Sequence, residues 1–205
     1  YFTAYYAIDA VNFTPVDLSS SLDTLDAPYL PLAVLEAAGL PLDPSFASNG
    51  LVYLYYSART SDGRGVNRVV RYRESGNTLA ERIVLLDNIP ANVIHDGGRL
   101  RFGPDGLLYI TAGDAATEQS AQDVASLSGK ILRINPDGTT PRGNPFSSPV
   151  YSYGHRNPQG IDWHPATGDL WESEHGATGN DEINVVDAGA NYGWPRIEGS
   201  QTMPA

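Results

Sequence analysis

One stretch with the residue types needed for acid–base chemistry begins near Ile94. His95 follows an apolar run and precedes Asp-Gly-Gly, where the chain must turn tightly ahead of a strand. A neutral imidazole at a loop mouth can accept a proton if a carboxylate fixes its tautomer and stabilises its charged form. Asp114 ends the strand that follows the PDG turn, and antiparallel strands of similar length bring their outer ends together. We therefore expect His95 and Asp114 to be neighbours, the alternative being that Asp114 only caps a turn.

A cation and an amide stand side by side in the segment GHRNPQG, between flanking glycines. Arg156 offers a planar fork of donors for carboxylate or carbonyl oxygens of a ligand, and Asn157 offers both a donor and an acceptor. These types and their spacing predict a ligand-binding pair. The alternative is that Arg156 bridges two neighbouring sheets.

The segment SEHGATGNDEIN is rich in both glycine and acidic residues. Hard cations bind several oxygens from carboxylates and backbone, and glycine lets carbonyls turn toward one centre. Asp181 and Glu182 are the candidate ligands. Their spacing is not that of an EF-hand, so the pattern indicates a hard cation without requiring one.

A short motif that occurs three times positions these segments. In each copy a Pro-centred turn closed by Gly precedes an apolar, aromatic-rich strand. The turn prolines are Pro44, Pro104 and Pro165, at intervals of 60 and 61 residues. A fixed period with hairpin chemistry at each repeat is typical of an array of β units, and about four strands per unit fit one blade of a β-propeller. The 21 Gly and 15 Pro also favour many short strands over a helical bundle.

The sequence therefore predicts an all-β chain in which residues 42–205 form a partial β-propeller. LVYLYYSA is predicted to be a central strand, NRVVRYR a half-buried strand, and DAATEQSAQDVASL a short helix or long loop. The third unit is predicted to begin at VYSYG. Residues 1–41 show little pattern beyond two turns of possible helix in PLAVLEAAGLP. A ring needs about four or more blades, so we expect this chain to be part of a longer protein.

The composition excludes some classes of partner. The net charge of −11 argues against nucleic acid and anionic membranes, although an acidic surface also simply aids solubility. The absence of Cys excludes disulfides and thiolate metal sites. No run approaches the roughly 18 apolar residues of a membrane span. The chain begins at Tyr1 without a signal-peptide pattern, which indicates a processed form or a fragment.

The ordered set HDGGRLRFGPDGLLYITAGD, GKILRINPDG, GHRNPQG, SEHG followed by DEIN, and NYGWP resembles the soluble quinoprotein glucose/sorbosone dehydrogenases, the aldose sugar dehydrogenases. The resemblance covers about residues 42–195. It implies a six-bladed β-propeller, of which this chain would cover about three to four blades, with pyrroloquinoline quinone (PQQ) and calcium as cofactors. It also implies a periplasmic or secreted enzyme that oxidises the anomeric carbon of an aldose to a lactone and passes electrons to an external acceptor.

The same resemblance implies a role for each candidate residue. His95 would be the base that takes the proton of the anomeric hydroxyl while hydride passes to PQQ, and Asp114 would orient it. Arg156 would stabilise charge on the quinone. The other implied contacts are Asn157, Gln159 and His95 to PQQ, the carbonyls of Gly176 and Ala177 to one calcium, and Glu182 with the carbonyl of Tyr192 to a second calcium.

The resemblance also leaves parts of the family's pattern unmatched. AVLEAAGLP stands where the family has a Gly-rich stretch, and the Lys and Arg residues that grip the carboxylates of PQQ belong to later blades. We expect function only in a full ring, unless copies associate. The alternatives are a non-catalytic β-propeller that binds protein or glycan, and a lactonase-type propeller that needs no quinone.

Overall fold

The computed structural model describes residues 41–76 and 78–201, which are mostly antiparallel β-structure. The chain divides into two compact units, one up to Asn88 and one from Ile89 onward. The helix predicted in PLAVLEAAGLP lies outside the described residues, apart from Pro41. Among the described residues, no helix has the length and apolarity to cross a membrane.

The first unit is a three-stranded antiparallel sheet. It comprises a one-turn helix α1 (Phe46–Asn49) and strands β1 (Leu51–Arg59), β2 (Gly65–Ser75) and β3 (Thr78–Pro90), in the order β1-β2-β3. β1 is buried as predicted for a central strand, but β2 is the central strand of the three described. On the other side of β1 the described chain adds only a single bridge, between Leu42 and Val52. Val52, Leu54 and Tyr72 belong to the apolar cluster of this unit.

The second unit contains two sheets. The first has the order β4-β5-β6-β7 and the second β10-β9-β8. Their strands are β4 (Leu100–Phe102), β5 (Leu108–Ala112), β6 (Lys130–Ile134), β7 (Val150–Tyr153), β8 (Pro158–Trp163), β9 (Leu170–Glu174) and β10 (Glu182–Val185). Tyr109 and Ile131 of the first sheet pack with Ile161 and Leu170 of the second in one apolar cluster. The burial of these side chains holds the two sheets against each other.

The predicted turns are confirmed. Pro44, Pro104 and Pro165 all lie in turns that precede a strand. Each turn is followed by a glycine with positive φ, at Gly50, Gly106 and Gly168. In the second, Gly106 N–H donates to the Gly103 carbonyl at 2.9 Å, which closes the β4–β5 hairpin. Glycine adopts this left-handed conformation without the clash that a Cβ would cause.

The assignment of VYSYG to the third unit is wrong. These residues form β7, which pairs with β6 as the fourth strand of the preceding sheet. The Arg133 N–H donates to the Pro149 carbonyl at 2.7 Å, so the pairing begins as soon as the proline-rich connection ends. That connection is longer than the usual hairpin loop. A prediction based on short turns therefore could not identify the pairing of β7 with β6.

The excursion between β5 and β6 contains a 3₁₀ helix (Glu118–Gln122), in agreement with the predicted short helix or long loop. It is anchored by Lys130, the single lysine of the chain. The Lys130 side chain is wholly buried, and its ammonium donates to the carbonyls of Ser120, Ala121 and Ser128 at 2.5 to 3.0 Å. Burial lowers the pKa of Lys130 to about 8, an effect that nearby Asp123 opposes. Three carbonyls thus share one cation that ties this excursion to β6.

Candidate active site

His95 is held in a strained loop against the end of β5. Its φ is +62°, a conformation that non-glycine residues rarely adopt. Ala115 N–H donates to the His95 carbonyl at 3.1 Å, and the Asn92 side chain donates to the Ala115 carbonyl at 2.9 Å. Gly97 approaches so closely that a Cβ there would lie 2.6 Å from the Thr111 carbonyl oxygen. Strained backbone that its surroundings hold in place is characteristic of functional sites.

The predicted neighbourhood of His95 and Asp114 is confirmed. His95 Nδ1 lies 2.8 Å from Asp114 Oδ1, with the carboxylate wholly buried and the imidazole 15% exposed. Because an ionised carboxylate only accepts hydrogen bonds, Nδ1 carries the proton and Nε2 is left as the acceptor. This tautomer is the one a general base requires.

Asp114 is fixed by donors on both oxygens. Ala116 N–H donates to Oδ1 at 2.8 Å, and the Trp194 indole N–H donates to Oδ2 at 2.8 Å. Hydrogen bonds of this kind stabilise a buried carboxylate in its charged form. Asp114 therefore caps its own turn and also orients His95. The two roles that the sequence suggested as alternatives are both present.

Arg156 lies beside this pair. Its carbonyl accepts the Asp114 N–H at 2.8 Å, and its guanidinium stands 5.3 Å from the centre of the Trp194 ring. Nη1 donates to the carbonyls of His175 and Gly176 at 3.0 Å each. Arg156 thus bridges the loop ends of the two sheets of this unit, which is the alternative that its sequence position left open. Its Nε, however, is buried without a hydrogen-bond partner among the described residues.

Asn157 supports the loop of His95 in this structure. Its side-chain oxygen accepts the Gly97 N–H at 3.2 Å, and the residue is 5% exposed. Gln159, in contrast, is exposed on β8, and its backbone carbonyl accepts a bond from Arg99 Nε at 3.3 Å. Among the described contacts, none joins the Gln159 side chain to His95, Asp114 or Arg156.

Gly113 provides a test of how this geometry is held. A Cβ at position 113 would overlap the carbonyl group of His95 and lie 3.0 Å from Asn157 Oδ1. We expect Gly113→Ala to reduce the free energy of unfolding by about 1–3 kcal/mol and to displace His95, because these neighbours cannot move cheaply. Chemical denaturation measures the first effect.

Gly143→Ala is the matched control for Gly113→Ala. Its new Cβ would meet only the Arg133 guanidinium, at 3.4 Å. We expect nearly unchanged stability. Equal effects of the two alanine substitutions would contradict a close approach of Gly113 to the His95 loop.

The acidic glycine-rich loop folds back on itself. Asp181 Oδ1 accepts the Gly176 N–H at 3.0 Å, so this candidate ligand caps the loop. Glu198, to which the sequence assigned no role, accepts the Ala177 N–H and both the N–H and the hydroxyl of Thr178. Glu182 accepts the Gly199 N–H at 2.6 Å. The loop is therefore held by carboxylates at several points.

A small cavity of about 10 Å³ lies beside this loop, which is room for roughly one water-sized sphere. Its lining includes Gly176, Tyr192 and three glutamates, namely Glu174, Glu182 and Glu198. Arg156, Trp194 and Ile197 also line it, so the three carboxylates, rather than the cavity as a whole, are what would suit a hard cation such as calcium.

Glu174 is a site residue that the sequence did not single out. Its Oε2 accepts the Arg156 N–H at 2.6 Å, and its Oε1 lies 3.3 Å from His155 Nδ1. Trp194 was likewise missed, although its motif was quoted. A contact with Asp114 across 80 residues leaves no local signal in the sequence.

Together these observations define a class: in the described residues, a mostly β protein with a histidine oriented by a buried carboxylate, and an arginine bonded to the same aspartate, at the loop ends of its sheets. The residues from 37 to 203 match the family described as Glucose / Sorbosone dehydrogenase. The chain belongs to this family.

Three relatives show how far the similarity extends. The quinoprotein glucose dehydrogenase B of Acinetobacter calcoaceticus is 34% identical, over 78% of this chain and 40% of its own length. The aldose sugar dehydrogenase YliI of Escherichia coli (strain K12) is 36% identical, over 75% of this chain and 44% of its own length. The structure of the PQQ-bound aldose sugar dehydrogenase of Streptomyces coelicolor superimposes with a TM-score of 0.71 and 44% identity, over 78% of this chain and 48% of its own. The chain thus spans about half the length of these relatives or less.

Proposed function

We propose that this chain contributes the catalytic histidine of a quinoprotein that oxidises the anomeric carbon of an aldose to a lactone. The observation that carries the proposal is the buried Asp114–His95 pair, which leaves His95 Nε2 as an oriented proton acceptor beside Arg156. The names of the three relatives, one a quinoprotein glucose dehydrogenase and two aldose sugar dehydrogenases, of which one is PQQ-bound, support the substrate class and the cofactor.

The residues present fit PQQ and calcium. The buried Nε of Arg156, which has no partner among the described residues, could donate to an oxygen of the quinone. The backbone carbonyl of Arg156 is bonded to Asp114, the partner of His95. The Gly176 carbonyl, which already accepts one bond from Arg156, keeps a second lone pair for a calcium shared with Ala177. Glu182 and Tyr192 line the small cavity suited to a second calcium.

The protein's own steps follow from these contacts. His95 Nε2 takes the proton of the anomeric hydroxyl as the C1–O bond becomes a carbonyl. The carboxylate of Asp114 stabilises the imidazolium that forms. Arg156 places a fixed positive charge beside the site, where it can stabilise negative charge that develops during the reaction. PQQ, when bound, supplies the acceptor for the hydride that leaves C1, and calcium acts as a Lewis acid.

We further infer that the sheets are blades of a β-propeller, six-bladed as is usual for the family, with three to four blades in this chain. The period of about 60 residues and the antiparallel sheets of three or four strands support this inference. From the resemblance to the family we also propose a periplasmic or secreted protein that passes electrons to an external acceptor.

The test is to add PQQ and calcium to the full-length protein and to follow the bleaching of a redox dye with a panel of aldoses. We expect bleaching that requires both the sugar and PQQ. Silence with every aldose would favour a non-catalytic binding propeller. Hydrolysis of a lactone without quinone would favour the lactonase alternative.

A further inference from the structure

A buried cluster of possible metal ligands lies behind Arg156. It consists of His155, Glu172 and Glu174, whose side chains offer ligand atoms that all lie within 4.8 Å of one another. His155 Nδ1 is 3.3 Å from Glu174 Oε1 and 3.7 Å from Glu172 Oε1. The three residues are 0%, 2% and 7% exposed.

The cluster is short of positive charge. The Asn184 side-chain amide lies within hydrogen-bond distance of Glu172, Glu174 and Glu182, at 2.8, 3.4 and 3.1 Å. An NH₂ group has only two protons, so it cannot serve all three carboxylates well.

Glu172 also lacks a hydrogen-bond donor, within the part of the chain that the structure describes, for one of its carboxylate oxygens. Its Oε2 is buried without any hydrogen-bond partner among the described residues. Burial, and then repulsion from Glu174, raise the pKa of Glu172. Leaving a buried carboxylate oxygen unsatisfied is costly, and native structures usually provide a partner.

We propose that His155 Nδ1, Glu172 and Glu174 bind one divalent transition-metal ion of the zinc type. A tetrahedral zinc site with bonds of about 2.1 Å separates its ligand atoms by about 3.4 Å. The two distances from His155 Nδ1 lie on either side of that value. The imidazole nitrogen favours such an ion over calcium, and two carboxylates neutralise its charge.

The surroundings also suit a metal-bound histidine. His155 Nε2 lies 2.8 Å from the Ser152 hydroxyl, which can accept its proton once Nδ1 binds the ion. The imidazole is stacked on the Tyr192 ring with centroids 4.6 Å apart, which fixes its plane. Glu174 also lines the cavity proposed above for calcium, whereas His155 and Glu172 do not. The proposal does not depend on the proposed oxidation of sugar.

Metal binding to the full-length protein tests the proposal. The protein is stripped with a chelator and then titrated with Zn²⁺ or Co²⁺ in excess calcium, which saturates the oxygen sites. We expect one tightly held equivalent of Zn²⁺ and a visible Co²⁺ spectrum of tetrahedral type in the parent. We expect Glu172→Gln to weaken binding at least about 10-fold.

Two controls separate this site from others. His175→Ala removes an exposed histidine that lies 3.7 Å from Asp181, and Asp181→Asn alters that exposed carboxylate, which is not a member of the cluster. Both should retain the Zn²⁺ equivalent. Failure of the parent to bind Zn²⁺ in excess calcium, or equal binding by the parent and Glu172→Gln, would overturn the proposal. So would loss of binding in His175→Ala. If Glu172→Gln does not fold, the Co²⁺ spectrum of the parent still tests the proposal, because the absence of a tetrahedral-type spectrum would contradict it.

Discussion

His95→Gln is expected to lower kcat for aldose oxidation by about 10²–10⁴-fold, the usual contribution of a positioned general base. Glutamine occupies similar volume but cannot take a proton at neutral pH. The comparison uses full-length protein loaded with PQQ and calcium, and cofactor affinity should change far less than kcat. His164→Gln is the control, because His164 is exposed and its side chain meets Thr167 and the exposed Trp171 rather than Asp114 or Arg156.

Asp114→Asn should produce a loss of similar order with the backbone intact. The asparagine amide can donate to Nδ1, which would move the proton to Nε2 and leave the imidazole in the wrong tautomer. Activity of Asp114→Asn close to that of the parent would show that orientation by this carboxylate is not needed.

Arg156→Lys is expected to lower kcat by about 10²–10³-fold, as does the loss of one preorganised donor at developing charge. Lysine keeps the charge but not the fork that holds the His175 and Gly176 carbonyls while Nε remains available. The affinity for PQQ should fall as well, and titration of the apo-protein with PQQ measures it.

Arg101→Lys is the matched control for Arg156→Lys, because Arg101 forms an exposed pair with Asp162 at 2.7 Å. Exposed pairs of this kind contribute little. If Arg156→Lys oxidised sugar and bound PQQ like the parent, the arginine would be only a bridge between the two sheets.

Local chemistry made much of this site predictable. The contact of His95 with Asp114 followed from one hairpin, because the turn at Pro104 fixes which strand ends meet. The three proline turns were recognisable for the same reason, since each depends on only a few adjacent residues.

Contacts between distant segments were not predictable in this way. Trp194, which follows β10, reaches Asp114 at the end of β5 across 80 residues, so this contact joins the two sheets of the second unit. The partner of β7 depended on a long proline-rich connection rather than on a turn type. Positions of this kind depend on tertiary packing, which leaves no short-range pattern.

The burial of Lys130 has a practical consequence for anyone who labels or immobilises this chain. With no other lysine in the sequence, an amine-reactive ester can modify a side chain only at this position. The ammonium is enclosed by three carbonyls, so acylation must await a transient opening of the segment that covers it. The rate at which Lys130 is acylated, followed by mass spectrometry of its peptide, would then report how often that segment opens, without an engineered reporter group.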